Sequence, residues 1–131
     1  MTNTPSYKMK FKHWIELNEE VVFGSGRMQL FEAIEKTGSM NQAAALLGMS
    51  YRAAWGKVAA TEDRLKIHLV EKHPGNRRSG TTLTPAGKEL LHRYLLFQTE
   101  TEKIAEELFE KYLGEMLQHP NEPSSTENKK D

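Results

Sequence analysis

The hydrophobic pattern of the chain changes period several times, and each change marks an element. From Lys8 apolar and polar residues alternate, with Met9, Phe11, His13, Ile15 and Leu17 on one side and Lys8, Lys10, Lys12, Trp14 and Glu16 on the other. A period of two rich in aromatic and β-branched residues predicts a strand with one solvated face. Asn18, Glu19 and Glu20 supply a turn, Val21, Val22 and Phe23 a short returning strand, and Gly24-Ser25-Gly26 ends the unit. From about 27 to 37 the period becomes helical through Met28, Leu30, Phe31 and Ile34. Gly38 then stands where a left-handed C-terminal cap belongs. Ser39 with Gln42 three residues later spells a capping box, opening a short helix through Ala43, Ala44, Ala45, Leu46 and Leu47 that stops at Gly48. Ser50 caps a third helix running past Trp55 and Val58 to about Leu65. Two helices joined by a glycine-containing turn, the first alanine-rich so that the pair can cross closely, predict a helix-turn-helix.

After Lys66, the run Ile67, Leu69 and Val70 reads as a strand, His73 to Gly80 as a loop by its Pro, Gly, Asn and Ser content, and Thr81-Thr82-Leu83 as the returning strand. A helix-turn-helix followed by a hairpin with a basic tip is the winged-helix layout. Thr84 as cap and Pro85 in the first turn start a long helix. Its apolar positions, Leu90, Tyr94, Phe97, Ile104, Leu108 and Tyr112, follow a near four-three spacing interrupted by Thr101. At about 30 residues this helix exceeds what so small a domain buries alone, so these six residues are predicted to pair with a second copy of the helix. From His119 onward, prolines, serines and charges predict a disordered tail. The expected fold class is mainly α with a small β content (α+β): a winged helix-turn-helix with an N-terminal β-hairpin and a long C-terminal dimerisation helix. The expected boundaries are 8–84 for the winged helix, 85–117 for the dimerisation helix and 118–131 for the tail.

Composition narrows the function. The 131 residues suffice for one core and a tail, and 18 basic residues balance 18 acidic ones. That balance excludes a wholly basic polyanion binder, yet the charge is segregated. Arg52, Lys57, Arg64, Lys66, Lys72, Arg77, Arg78, Lys88 and Arg93 outnumber the acids between them, whereas Glu100, Glu102, Glu106, Glu107, Glu110 and Glu115 dominate the last helical turns. A phosphate-facing surface on a neutral protein needs such a gradient. The absence of cysteine excludes disulfides and thiolate chemistry. No run approaches the roughly 18 apolar residues of a membrane span, and the first residues do not spell a secretion signal. A cytoplasmic protein with no membrane partner is therefore expected. The five histidines are scattered without a ligand spacing, and no nucleophile elbow or paired-carboxylate motif occurs. The Gly24-Ser25-Gly26 turn is too short for a phosphate loop. An enzyme, a metal site and a cofactor are not expected.

The segment from Gly38 to Trp55, GSMNQAAALLGMSYRAAW, resembles the helix-turn-helix of ModE-type molybdate-responsive transcription regulators. Leu69-Val70-Glu71-Lys72 and Leu83-Thr84-Pro85-Ala86-Gly87 resemble the strand and helix start that follow it. LysR-type regulators share the order more loosely. The resemblance covers about residues 8–115. It implies a homodimeric regulator that binds double-stranded DNA. In the family this domain is followed by oxyanion-binding domains, of which these residues show none, so molybdate binding is not expected here. The wing, with Pro74, Asn76, Arg77 and Arg78, is poorer in glycine than the family's.

On DNA, the first residues of a recognition helix meet base edges in the major groove. These are Ser50, Tyr51 and Arg52. Arg52 is the candidate base reader because a guanidinium bonds guanine O6 and N7 together; its alternative is a phosphate contact. Ser50 is foremost a cap, Tyr51 is a candidate for a phosphate or a thymine methyl, and Trp55 is expected in the core. Asn41 and Gln42, opening the first helix of the motif, and Lys57 are candidates for phosphate. Arg77 and Arg78 at the wing tip are candidates for the minor groove or for phosphates. The alternative is a winged-helix module that binds proteins through its acidic amphipathic helix, without specific DNA binding.

Overall fold

The computed structural model describes residues 5–73 and 80–120. Two strands, β1 (Trp14–Leu17) and β2 (Glu20–Gly24), form an antiparallel hairpin. Asn18 and Glu19 make its turn with φ of 52° and 68°, the left-handed pair of a two-residue hairpin loop. Three helices follow: α1 (Ser25–Thr37), α2 (Met40–Leu46) and α3 (Tyr51–Leu65). A second hairpin, β3 (Val70–His73) and β4 (Gly80–Leu83), leads into α4 (Pro85–Phe109). A five-residue π turn, Glu110–Gly114, and a final helix, α5 (Glu115–Gln118), extend it. The fold is mostly helical with two small hairpins.

Local chemistry sets most boundaries. Gly38 adopts φ 67° and returns its N–H to Ile34 at 2.8 Å. Ser39 Oγ accepts from the Gln42 amide at 3.1 Å and Ser50 Oγ from the Ala53 amide at 3.0 Å. At the start of α4, Thr84 Oγ1 accepts from the Gly87 amide at 3.0 Å and donates to the His68 carbonyl at 2.7 Å. Only half of the expected capping box forms: the Ser39 amide bonds Thr37 Oγ1 at 3.2 Å, the position a Gln42 side chain would have taken.

Two strand expectations are corrected. β1 begins at Trp14, not Lys8, because its partner runs out where Trp14 pairs with Gly24. Its hairpin also carries a bulge at Ile15/Glu16, and Trp14, Ile15 and Leu17 are all exposed, so alternation there does not mark a buried face. Strand β3 begins at Val70 rather than Ile67. Lys66 turns left-handed at φ 58°, and the amides of Leu69 and Val70 are taken by the Glu62 carboxylate at 2.7 and 3.0 Å.

The chain divides into two units, Lys12–Leu96 and the terminal segments Met1–Phe11 with Phe97–Asp131. In the first, Phe23, Leu30, Phe31, Ile34, Leu69 and Leu91 are fully buried. Phe23 packs edge-on against Phe31 and Tyr94, with centroids 5.2 and 5.1 Å apart. Ala43, Ala44 and Ala54 are buried where α2 crosses α3, as close crossing requires. Thr61 Oγ1 donates to the Val22 carbonyl at 2.7 Å, tying α3 to β2. In the second unit, the N-terminal segment lies along the helix end. Tyr7 donates to the Leu117 carbonyl at 3.1 Å, and Gln118 to the Pro5 carbonyl at 3.2 Å. Phe97, Ile104, Leu108, Tyr112 and Met116 are exposed on this helix. Continuing the 104–108 spacing by an ordinary α-turn would bring up Lys111 and Glu115; the extra residue of the π turn brings Tyr112 and Met116 instead.

Candidate nucleic-acid interface

Helix α3 is held from below and open above. Ala54, Val58 and Thr61 are buried, so at 100° per residue Arg52, Gly56, Ala59 and Asp63 share the opposite, exposed face. Apart from Arg52 and Asp63 this face is nearly without side chains, so the helix backbone can come close to a flat partner. Ser50, Tyr51, Arg52 and Lys57 are exposed, as are Asn41 and Gln42 on the first turn of α2. Arg52 and Lys57 make no ion pair among the described residues. Arg77 and Arg78 lie outside the described residues.

Not every base in the positive segment is available. Arg64 donates to the Val21 carbonyl at 2.6 Å and pairs with Glu20 at 3.3 Å, so its charge fastens α3 to the first hairpin. Lys66 pairs with Asp63 and Arg93 with Glu89. In exchange, the structure adds two cations that sequence reasoning passed over. Lys12 and Arg27 line one cleft with Lys57, Met49 and Ser25. Arg27 Nε reaches the Lys57 carbonyl at 3.4 Å, and its pKa is lowered by burial and then by the nearby Arg64 charge.

At the other flank of α3, Tyr51 and Trp55 meet at a centroid distance of 6.4 Å, close to perpendicular. Lys72 of β3 lies over both rings, 6.0 and 5.8 Å from their centroids. Trp55 packs on the core as expected, but its buried indole N–H has no hydrogen-bond partner of good geometry among the described residues. Its polarity still acts on Tyr51, whose hydroxyl pKa is lowered first by that indole and then by the Lys72 ammonium.

The six residues expected to join two copies divide between the units. Tyr94 is 4% exposed and Leu90 packs on the same core. The Tyr94 hydroxyl lies 2.9 Å from His13 Nδ1 and 3.3 Å from the His13 carbonyl, and burial raises its pKa. Phe97, Ile104, Leu108 and Tyr112 are exposed. Among the described residues no cluster of His, Asp and Glu could hold a metal ion, and no helix is long and apolar enough to cross a membrane.

The profile of bacterial regulatory helix-turn-helix proteins of the lysR family matches residues 26–88. Over 92 residues the chain is 38% identical to the molybdenum-pterin-binding protein MopB of Rhodobacter capsulatus, which takes in 70% of this chain and 34% of that protein. The molybdenum transport protein ModE of Azotobacter vinelandii is 34% identical over 86 residues, 65% of this chain and 32% of that one. The chain thus spans about a third of the length of these curated relatives. Among solved structures, the DNA-binding domain of CbnR in complex with DNA matches with a TM-score of 0.50 and 26% identity, covering 63% of this chain and 94% of that chain. Residues 26–88 thus match a LysR-type helix-turn-helix, and over the matched stretch the chain is ModE-like in sequence.

Proposed function

We propose that this protein is a sequence-specific transcription regulator of the cytoplasm that binds double-stranded DNA as a homodimer. The observation that carries the reading is the outward face of α3: an exposed Arg52 with no ion pair among the described residues, standing at the head of a face that continues through Gly56 and Ala59 and ends at Asp63, itself paired with Lys66. Small residues let the helix sink into the major groove, and the guanidinium then reaches a guanine edge. Ser50 holds the first turn, and Tyr51, Lys57, Asn41 and Gln42 meet flanking phosphates. Lys12 and Arg27 extend that contact beside Lys57. Arg77 and Arg78 are assigned to the wing's contact by charge alone. Phe97, Ile104, Leu108 and Tyr112 join the two copies, whose recognition helices then read half-sites about one DNA turn apart.

The test is an anisotropy titration of the selected duplex and of random duplex at two salt concentrations. Affinity for both falls steeply with salt if phosphates are contacted. Arg52→Ala is expected to lose roughly 1–3 kcal/mol on the selected site and far less on random DNA. Equal losses would reduce Arg52 to a phosphate contact. No duplex binding at low salt would leave a protein-interaction module with the acidic helix as its docking face. The duplex is the only ligand in this reading, and equilibrium dialysis of these residues against molybdate is expected to show no uptake.

A further inference from the structure

Strand alternation gives β3 two faces. Val70 enters the core, and Lys72, two residues on, shares its face and lies over the rings of Tyr51 and Trp55. His73, on the opposite face, bonds Thr82 Oγ1 at 2.8 Å. The wing and the recognition helix therefore meet through a lysine and two aromatic rings at the first turn and a half of α3. A cation at about 6 Å from an exposed and a half-buried ring gains little, roughly 0.5–1 kcal/mol, so packing alone is a weak use for it. No carboxylate neutralises Lys72 among the described residues. Tyr51 is exposed, and the Trp55 indole and then the Lys72 ammonium lower its hydroxyl pKa, which makes that hydroxyl a better donor to an anion arriving from solvent.

The major and minor grooves of a duplex are separated by one sugar-phosphate strand. A protein with a helix in one groove and a hairpin at the next must let that strand cross the junction between them. In this fold the junction is the Tyr51–Trp55–Lys72 cluster. We infer that Lys72, seated on the Tyr51 and Trp55 rings, binds a backbone phosphate of the duplex between the two grooves, and that the Tyr51 hydroxyl donates to the same phosphate. The inference rests on the DNA-binding reading above and adds a residue of the wing strand to it. Lys72 is a phosphate contact, and the rings are its positioning residues.

The test compares wild type, Lys72→Met, Lys72→Gln and Lys72→Arg on the same duplex between 50 and 200 mM salt. Removing one phosphate contact lowers the salt slope by about 0.9. The affinity loss across that range is then expected to shrink by about 3.5-fold per contact, or about 12-fold when both protomers contribute. Arginine restores the wild-type slope, and the ratio of selected to random binding stays unchanged throughout. Tyr51→Phe weakens binding without changing the slope, because a neutral donor releases no counterion. Tyr51→Ala combined with Lys72→Met loses less than the product of the two single losses, as residues on one phosphate should. A wild-type slope in folded Lys72→Met and Lys72→Gln overturns the inference, as does strict additivity with Tyr51→Ala. A wild-type protein that ignores duplex DNA overturns the parent reading instead.

Discussion

Gly87, in the first turn of α4, has no room for a side chain. A Cβ there would run into the Leu69 carbonyl oxygen and stand 3.1 Å from its carbon, against an ordinary contact of 3.4 Å or more. The oxygen cannot move alone: it accepts the Thr84 amide at 2.9 Å, while the Leu69 amide is held by Glu62 at 2.7 Å. Gly87→Ala must therefore push the start of α4 about 1 Å away from residue 69, straining both the Thr84 cap and the foot of the wing. Overpacking of this kind costs about 1–3 kcal/mol and a weakened cap about 1 kcal/mol, offset by about 1 kcal/mol of alanine's helix preference. The expected net loss is about 1–3 kcal/mol, a Tm lower by roughly 4–24 °C for a domain of this size. Gly56→Ala is the control, since a Cβ at that position meets nothing within 4 Å. It should raise stability by about 0.5–1 kcal/mol while weakening duplex binding, because the new methyl stands on the face of α3 turned to the groove. Thermal unfolding followed by circular dichroism, with anisotropy on the same samples, separates the two effects. An unchanged or higher Tm for Gly87→Ala would refute the argument from close approach.

Two further outcomes are expected. Ile104→Asp, a charge placed in the exposed apolar stripe, should convert the proposed dimer to monomer in sedimentation equilibrium while leaving the Tm of the 12–96 unit nearly unchanged, as for surface substitutions in general; an unchanged mass would remove the stripe from the proposed interface. Tyr94 has a pKa raised by burial above its ordinary 10.0, so the unfolded chain releases this proton first and stability falls as pH rises through and above 10. Tyr94→Phe, measured by urea unfolding between pH 8 and 11, should show a shallower alkaline loss than wild type, and parallel curves would refute that linkage.

Much of the fold was legible because caps and turns are written in neighbouring residues. Ser39, Ser50, Thr84 and Gly38 each act within four residues of themselves, and all sit where the spelling places them. What the sequence could not show depends on distant partners. β1 stops at Trp14 because β2 offers no further residue. Tyr94 belongs to an apolar helical spacing, yet its hydroxyl finds His13, 81 residues away, and the ring is drawn into the core. Arg64 counts as a free base in a charge inventory, although Glu20 and the Val21 carbonyl occupy it. Lys72 was one lysine among several until the hairpin laid it over the rings of α3. The exposed face of α3 follows only once Ala54, Val58 and Thr61 are seen to be buried, which helical period alone does not tell.

The π turn at Glu110–Gly114 bears on how much length the terminal helix tolerates. A single residue added to a plain α-helix rotates everything beyond it by about 100°, which would scatter Tyr112 and Met116 away from Ile104 and Leu108. Here the surplus is absorbed as a local widening, packed tightly enough that the Glu110 carboxylate approaches Gly114 where a Cβ would stand. The helix thus holds one residue more than its oily edge needs, a slack link that keeps both ends of the edge in line.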